Sequence, residues 1–202
     1  MNEQIRQKRP RIYFAGSTPN SAMTATRLLT EAALIIGLEA ISGEIQGKDA
    51  ESSSLAIGGW SSPKFERGEA DIILGFEPLK TLRALPLLCA GGAVFCSLDP
   101  VAPKAKPRDE DCPDLMRVMA KIHKEADYAH FISCEAMGKQ AGAEESGATA
   151  LLGALCASGL IPIPLKGLER AITKVFSGKE AEIHLCAMRL GAKSVPYPVK
   201  NL

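Results

Sequence analysis

The chain lacks any close pair of cysteines. Its six, Cys89, Cys96, Cys112, Cys134, Cys156 and Cys186, are scattered, and no two form a C-x-x-C pair. Structural zinc sites and iron–sulfur clusters need closely spaced thiolates, so neither is expected here. Charge of one sign is lacking too: 24 basic and 23 acidic residues give a formal net charge of +1. Phosphate neutralisation needs a clustered basic surface, so nucleic acid is not an expected partner. The basic cluster RQKRPR (Arg6–Arg11) reads as a solvated N-terminal tail. No run approaches the roughly 20 apolar residues of a membrane helix. The N-terminus has no apolar h-region, which leaves the cytoplasm as the expected location. Signature loops are absent as well, with no G-x-S-x-G elbow, no G-x-x-x-x-G-K-[ST] loop and no H-E-x-x-H. The three histidines (His123, His130, His184) fall within predicted regular structure rather than at strand ends. His184 and Cys186 lie two apart on a predicted helix and face different ways, which removes them as a metal pair.

What is present is an apolar content of 46% in 202 residues, enough for one domain with a substantial core. We expect a tail over residues 1–10, a single α/β domain over 11–192 and an extended tail over 193–202. Ile12–Ala15 is apolar on both faces, as a strand in a helix-covered parallel sheet must be. A polar turn, Gly16–Ser21, leads into an amphipathic helix, Ala22–Ile36, that Gly37 closes. Leu38–Glu44 reads as a second strand, Glu44–Ser54 as a polar connection and Leu55–Trp60 as a returning strand. Asp71–Phe76 is a buried strand. Pro78 starts a helix over Leu79–Cys89, which Gly91–Gly92 ends. Ala93–Ser97 follows as a strand, and the four prolines of Asp99–Pro113 mark a surface loop. Leu115–Lys124 is a helix with Leu115, Val118, Met119 and Ile122 inward, and Tyr128–Ser133 the last strand. Helices over Ser146–Ala157, Leu165–Phe176 and Ala181–Leu190 finish the chain. Strands alternating with helices predict a three-layer α/β/α sandwich around a mostly parallel, Rossmann-like sheet.

In such a sheet ligands sit beyond the carboxyl ends of the strands. The candidates there are Gly16, Ser17, Thr18, Asn20 and Ser21 after the first strand, Glu44 after the second, Glu77 after DIILGF, and Ser97–Asp99 after AVFCS. The hydroxyl and amide side chains of the first turn are able to donate hydrogen bonds to an anion at the helix N-terminus. The same residues also make an ordinary βα turn with Ser21 as N-cap, and both readings stand at this point.

Three blocks resemble one known family, the gamma subunit or gamma domain of 2-oxoacid:acceptor (ferredoxin) oxidoreductases. GSTPNSAMTATRLLTEAALIIGLEAISGEIQG is similar to that family's opening G-x-G-G-Q-G loop, helix and Glu-Ile-x-Gly element. GEADIILGFEPLKTLRALPLLCAGGAVFCSLDPVAP is similar to its central block, in which an FEP turn (Phe76–Glu77–Pro78) precedes a Gly-Gly strand. ATALLGALCASGLIPIPLKGLERAITKVF is similar to its closing block. The resemblance implies a subunit, inactive alone, of a complex that oxidatively decarboxylates a 2-oxoacid to an acyl-CoA and passes electrons to ferredoxin. It implies alpha and beta partners, with or without a ferredoxin-like delta subunit, that carry thiamine diphosphate and iron–sulfur clusters, with CoA nearby. This chain has no thiamine diphosphate motif of its own.

Two departures from the family pattern stand out. Thr18, Pro19 and Ser21 replace three loop glycines, and Asn20 stands in place of glutamine. Loss of one N–H at Pro19 would cost an anion about 1.5–3 kcal/mol. Downstream, Ala50-Glu51-Ser52-Ser53 replaces a Gln-Arg-Gly-Gly stretch, so Glu51 reverses a charge. At about 4 Å from an anion that reversal is of order 4 kcal/mol at an effective dielectric near 20. Both changes predict weak or absent binding of CoA or nucleotide by the isolated chain. The alternative they raise is a non-catalytic scaffold or regulatory paralogue that has lost the anion site. A free-standing nucleotide binder fits less well, because Pro19 spoils the loop and Glu44 is the only acid near the end of strand two. Without its partners the chain is expected to pair with itself through the surface meant for them.

Overall fold

The computed structural model describes residues 9–16, 19–47, 50–99 and 114–196, without the side chains of 19, 20, 45–47, 50 and 51. In chain order the elements are β1 (Arg11–Ala15), α1 (Pro19–Ile35), β2 (Ala40–Gly47), β3 (Ala50–Ile57), β4 (Ala70–Gly75) and α2 (Pro78–Ala84). A 3₁₀ turn (Leu85–Leu87) leads to β5 (Leu88–Ser97), then α3 (Leu115–Glu125), β6 (Tyr128–Ile132) and α4 (Cys134–Ala141). A second 3₁₀ turn (Glu144–Ser146) leads to α5 (Gly147–Ser158), α6 (Leu165–Val175) and α7 (Gly178–Ser194).

The strands form one sheet in the order β2-β3-β1-β4-β5-β6. β1, β4, β5 and β6 run parallel, whereas β3 is antiparallel to both its neighbours. Alternation along each parallel strand divides the interior in two. Ile12, Phe14, Ile72, Leu74 and Phe95 face one side, where α1, α5, α6 and α7 bury them. Ala15, Ile73, Val94 and Cys96 face the other, against Ala84, Leu85, Val118 and Ile122 of the α2 and α3 layer. The three-layer sandwich with a mostly parallel sheet is as expected.

Several local expectations are corrected. α1 starts at Pro19 rather than Ala22. Proline has no N–H to lose at a first helical turn, and Ser21 therefore lies inside the helix, not at its N-cap. The stretch 44–54 is not a connection: β2 continues to Gly47 and pairs with β3 along its length, from Ala40↔Ile57 to Gly47↔Ala50. Ser53 and Ser54 hide the strand pattern because their hydroxyls are satisfied locally. Ser53 Oγ meets Thr26 Oγ1 at 2.5 Å and the Ala22 carbonyl at 3.4 Å, and Ser54 Oγ donates to the Gly43 carbonyl at 3.3 Å. The helix after Pro78 stops at Ala84, since Pro86 cannot donate to a helix interior. Cys89, Gly91 and Gly92 then belong to β5, where the pairing with β4 slips between Ala70 and Ile72, and Gly91 adopts φ +77°.

α4 is a further correction. It sits between the last expected strand and the last three expected helices. Ser133 caps it by accepting from the Ala136 amide at 3.1 Å, and Gly142 ends it at φ +115°. The final helix runs Gly178–Ser194, longer at both ends than its apolar stripe indicates. Leu115 and Met119 are less sequestered than expected: Val118 and Ile122 are the buried residues of α3, and Leu115 is exposed. The expected loop after Leu98 and the tail beyond Pro196 lie outside the described residues, apart from Asp99 and Asp114.

Candidate functional site

The carboxyl ends of the four parallel strands collect most of the candidates. Gly16 follows β1 and is buried. A Cβ added there would lie 3.3 Å from the Ala22 Cβ and 3.5 Å from a Phe76 ring carbon. The glycine therefore lets the FEP turn and the first turn of α1 pack together, while the Phe76 amide donates to the Ala15 carbonyl at 2.8 Å. Ser17 and Thr18 lie outside the described residues, as does the Asn20 side chain. Ser21 is half-buried in the first turn of α1.

Glu77 precedes Pro78 and sits at the α2 N-cap in extended conformation. It is only 8% exposed, and its Oε2 has no hydrogen-bond partner among the described residues. The local backbone is tightly set. The Thr81 hydroxyl donates to the Glu77 carbonyl at 2.7 Å, and the Cys96 thiol meets Thr81 Oγ1 at 3.3 Å. Burial, with the nearby Asp99 and Glu77 charges adding to it, pushes the Cys96 thiol up to about 12. Cys134 is likewise pushed up to about 12 by burial. Neither is a thiolate at neutral pH, so neither is a nucleophile or a ready metal ligand.

Asp99 has a different role from the one its position suggests. Its carboxylate accepts from Ser97 Oγ, Ser133 Oγ and the Glu135 amide, each at 2.7 Å. It thus closes the β5 exit onto the N-terminus of α4, where a negative charge is favoured. With these donors engaged internally, the Ser97–Asp99 corner is structural.

Glu44 is brought near α1 but not near Glu77. It is exposed on edge strand β2 and lines a groove of ≈ 800 Å³ together with Met23, Thr24, Arg27 and Glu31 of α1. Lys174 of α6 pairs with Glu31 from outside. Glu77, after β4, is separated from β2 by β3 and β1, roughly 14 Å at the usual strand spacing. The candidates therefore form two places flanking the start of α1. The Glu51 position pairs with Gln46 in the β2–β3 ladder, and its side chain lies outside the described residues.

The histidines are accounted for by packing or position. His184 Nδ1 lies 2.7 Å from Thr149 Oγ1, and its ring stacks on Phe176 at 3.9 Å. His130 Nε2 lies 2.9 Å from Ser194 Oγ. His123 occupies the last turn of α3, where a basic group suits the helix C-terminus. Among the described residues no three His, Cys, Asp or Glu side chains gather as a metal site, and no helix is long and apolar enough to cross a membrane.

The comparisons with known proteins agree with this architecture. An indolepyruvate oxidoreductase subunit IorB from Thermococcus kodakarensis is 27% identical over 193 residues, covering 91% of this chain and 94% of that protein. The solved gamma subunit of a keto/oxoacid ferredoxin oxidoreductase from Geobacter sulfurreducens superposes with a TM-score of 0.69 at 19% identity, covering 93% of this chain and 96% of its own. A 2-oxoglutarate:ferredoxin oxidoreductase from Magnetococcus marinus, solved with 2-oxoglutarate, coenzyme A and succinyl-CoA bound, has the same fold within a longer chain. That match has a TM-score of 0.67 at 15% identity and covers 96% of this chain but 33% of that one. The family model for pyruvate ferredoxin/flavodoxin oxidoreductase matches residues 11–194, and the chain belongs to that family.

Proposed function

We propose that the chain is the gamma subunit of a multi-subunit 2-oxoacid:ferredoxin oxidoreductase and is inactive without alpha and beta partners. The observation that carries this is the match of one family model to almost the whole domain, residues 11–194. The chain's own donor set supports the dependence on partners. Cys89, Cys96 and Cys156 are buried, and Cys186 is exposed on α7. Among the described residues these positions do not fit a cluster, and none fit a thiamine diphosphate. In this reading both groups reside on the partners. Decarboxylation and electron transfer occur there, while this chain completes the assembly around them in the cytoplasm.

A second reading, a scaffold or regulatory paralogue without the anion site, is favoured by one feature. α1 begins at Pro19, so its first turn lacks one of the donors that a glycine-rich loop presents. If the start of α1 still receives an anion, Gly16, Ser17, Thr18, Asn20 and Ser21 are the residues in reach, with Glu44 and Glu77 flanking them.

Isolation of the native complex distinguishes the two. The chain is expected to co-purify with alpha and beta subunits, and the complex to reduce a viologen dye when given CoA and a 2-oxoacid. Indolepyruvate is the first substrate to try, because the curated relatives carry that name. A chain that co-purifies without supporting dye reduction favours the scaffold. A chain that never associates with such subunits overturns both readings.

A further inference from the structure

The second face of the sheet carries a groove. Tyr13 of β1 and Ser52 of β3 form its floor, Lys80 and Arg83 of α2 its wall, and Arg67 closes one end around ≈ 370 Å³. α1 covers the opposite face of β1, and the groove reaches Ala15 at the end of that strand. We propose that it is a binding site for a phosphate or diphosphate group of a small molecule.

Arg67 and Arg83 line the groove beside Lys80, and among the described residues no acid lines it, in a chain whose net charge is only +1. The Arg67 and Arg83 side chains have no hydrogen bond or ion pair among the described residues. The acid nearest Arg67 in the chain that faces inward, Glu69, is committed elsewhere: it pairs with Arg11 at 3.1 Å and accepts from the Glu66 amide at 2.8 Å. The Ser52 hydroxyl, on a residue 8% exposed, also has no partner among the described residues. Guanidinium groups present paired donors that match phosphate oxygens, and a lysine adds a point charge. Two unpaired guanidiniums are better matched by a group of two negative charges, such as a phosphate, than by one carboxylate.

The groove is held in shape before any ligand arrives. A Cβ on Gly75 would lie 1.7 Å from Thr81 Oγ1, so the missing side chain lets α2 seat directly on β4. Thr81 lies between Lys80 and Arg83 and fixes the phase of that helix. The Gly68 amide donates to the Pro86 carbonyl at 3.1 Å, which ties the turn bearing Arg67 to the end of α2. Gly68 has φ +73°, a conformation glycine adopts freely. The volume is at the small end for a ligand site, which suits a diphosphate rather than a large apolar molecule.

Titration calorimetry of the full chain with inorganic pyrophosphate, at about 50 mM salt where screening is modest, tests the proposal. A dissociation constant of about 0.1–1 mM is expected, the range of a few exposed charge-assisted contacts. The double variant Arg67→Glu/Arg83→Glu, on exposed side chains, is expected to keep its melting temperature and bind at least about tenfold more weakly. Arg189→Glu, on the far layer, serves as the control and is expected to bind as the parent does. ADP binding more tightly than pyrophosphate would identify a nucleotide source, and equal affinities a free inorganic anion. The proposal is overturned by absence of binding at millimolar pyrophosphate, or by equal affinity in the parent and the double variant. It is also overturned if Arg189→Glu weakens binding as much as the double variant.

Discussion

At the scale of single residues, the most constrained contact in the molecule is between Gly75 and Thr81. Gly75 ends β4, and its Cα faces the Thr81 side chain so closely that a Cβ would sit 1.7 Å from Oγ1 and 2.8 Å from the threonine Cβ. Thr81 cannot swing aside cheaply, because its hydroxyl bonds the Glu77 carbonyl at 2.7 Å and it is fully buried. Gly75→Ala is therefore expected to cost about 3 kcal/mol or more, the upper range for overpacking, read as a fall in the urea midpoint. Asp99 gives a second expectation. Its loss in Asp99→Ala leaves Ser97, Ser133 and the Glu135 amide short of their acceptor. A loss of about 1–3 kcal/mol follows from the missing cap and the orphaned donors, measurable by chemical denaturation. The positions of Gly16 and Glu77 just after β1 and β4 were legible in the sequence, because strand ends and turns announce themselves. The function of Asp99 was not, because its partners lie 34 and 36 residues further along. The three cations of the second groove escaped for the same reason, with Arg67 in a turn and Lys80 and Arg83 on a helix.

At the scale of elements, glycines decide how closely the helices cross. α5 is buried on all sides, and α7 crosses it backbone to backbone. A Cβ on Gly153 would lie 2.0 Å from the Met188 carbonyl oxygen, and one on Gly191 would lie 1.7 Å from that of Ala150. Backbone cannot yield as a flexible side chain can. Gly191→Ala is thus expected to force the two helices apart and to lower stability by about 2–3 kcal/mol. Cys186, exposed on α7, is expected to react with a thiol probe in the folded chain, whereas buried Cys156 reacts only after unfolding. The helices α1 and α6 were readable because their apolar stripes repeat at helical spacing, and α5 because its apolar run is unbroken. The β2–β3 hairpin was not, since Ser52, Ser53 and Ser54 are buried polar residues that break any apolar alternation. α4 was missed because only Gly138 among its residues is fully buried. Its signals are the cap Ser133 and the terminal Gly142, not a hydrophobic stripe.

At the scale of the whole molecule, the two histidines held between layers set how stability responds to acid. Burial lowers His184 below its ordinary value of 6.5, partly opposed by the Glu180 charge, and burial lowers His130 in the same direction. A histidine whose folded value is depressed binds fewer protons folded than unfolded. Stability is then fully present above the unfolded value and is lost as pH falls below it toward the folded one. The thermal midpoint is accordingly expected to be flat above about pH 7 and to decline as the pH is lowered from about 6.5. The double variant His130→Gln/His184→Gln should lie lower overall, because Thr149 and Phe176 lose a partner, yet show a flatter profile across that window. Asp71 acts with the opposite sign. Its burial outweighs the attraction of Arg11 and raises its value above 3.8, so its contribution favours the folded state on the acid side. An Asp71→Asn variant removes that opposing drift and should steepen the acid decline. If the midpoint of the parent chain instead stays level from pH 7 to 5.5 while the histidine variant matches it, neither imidazole is coupled to folding.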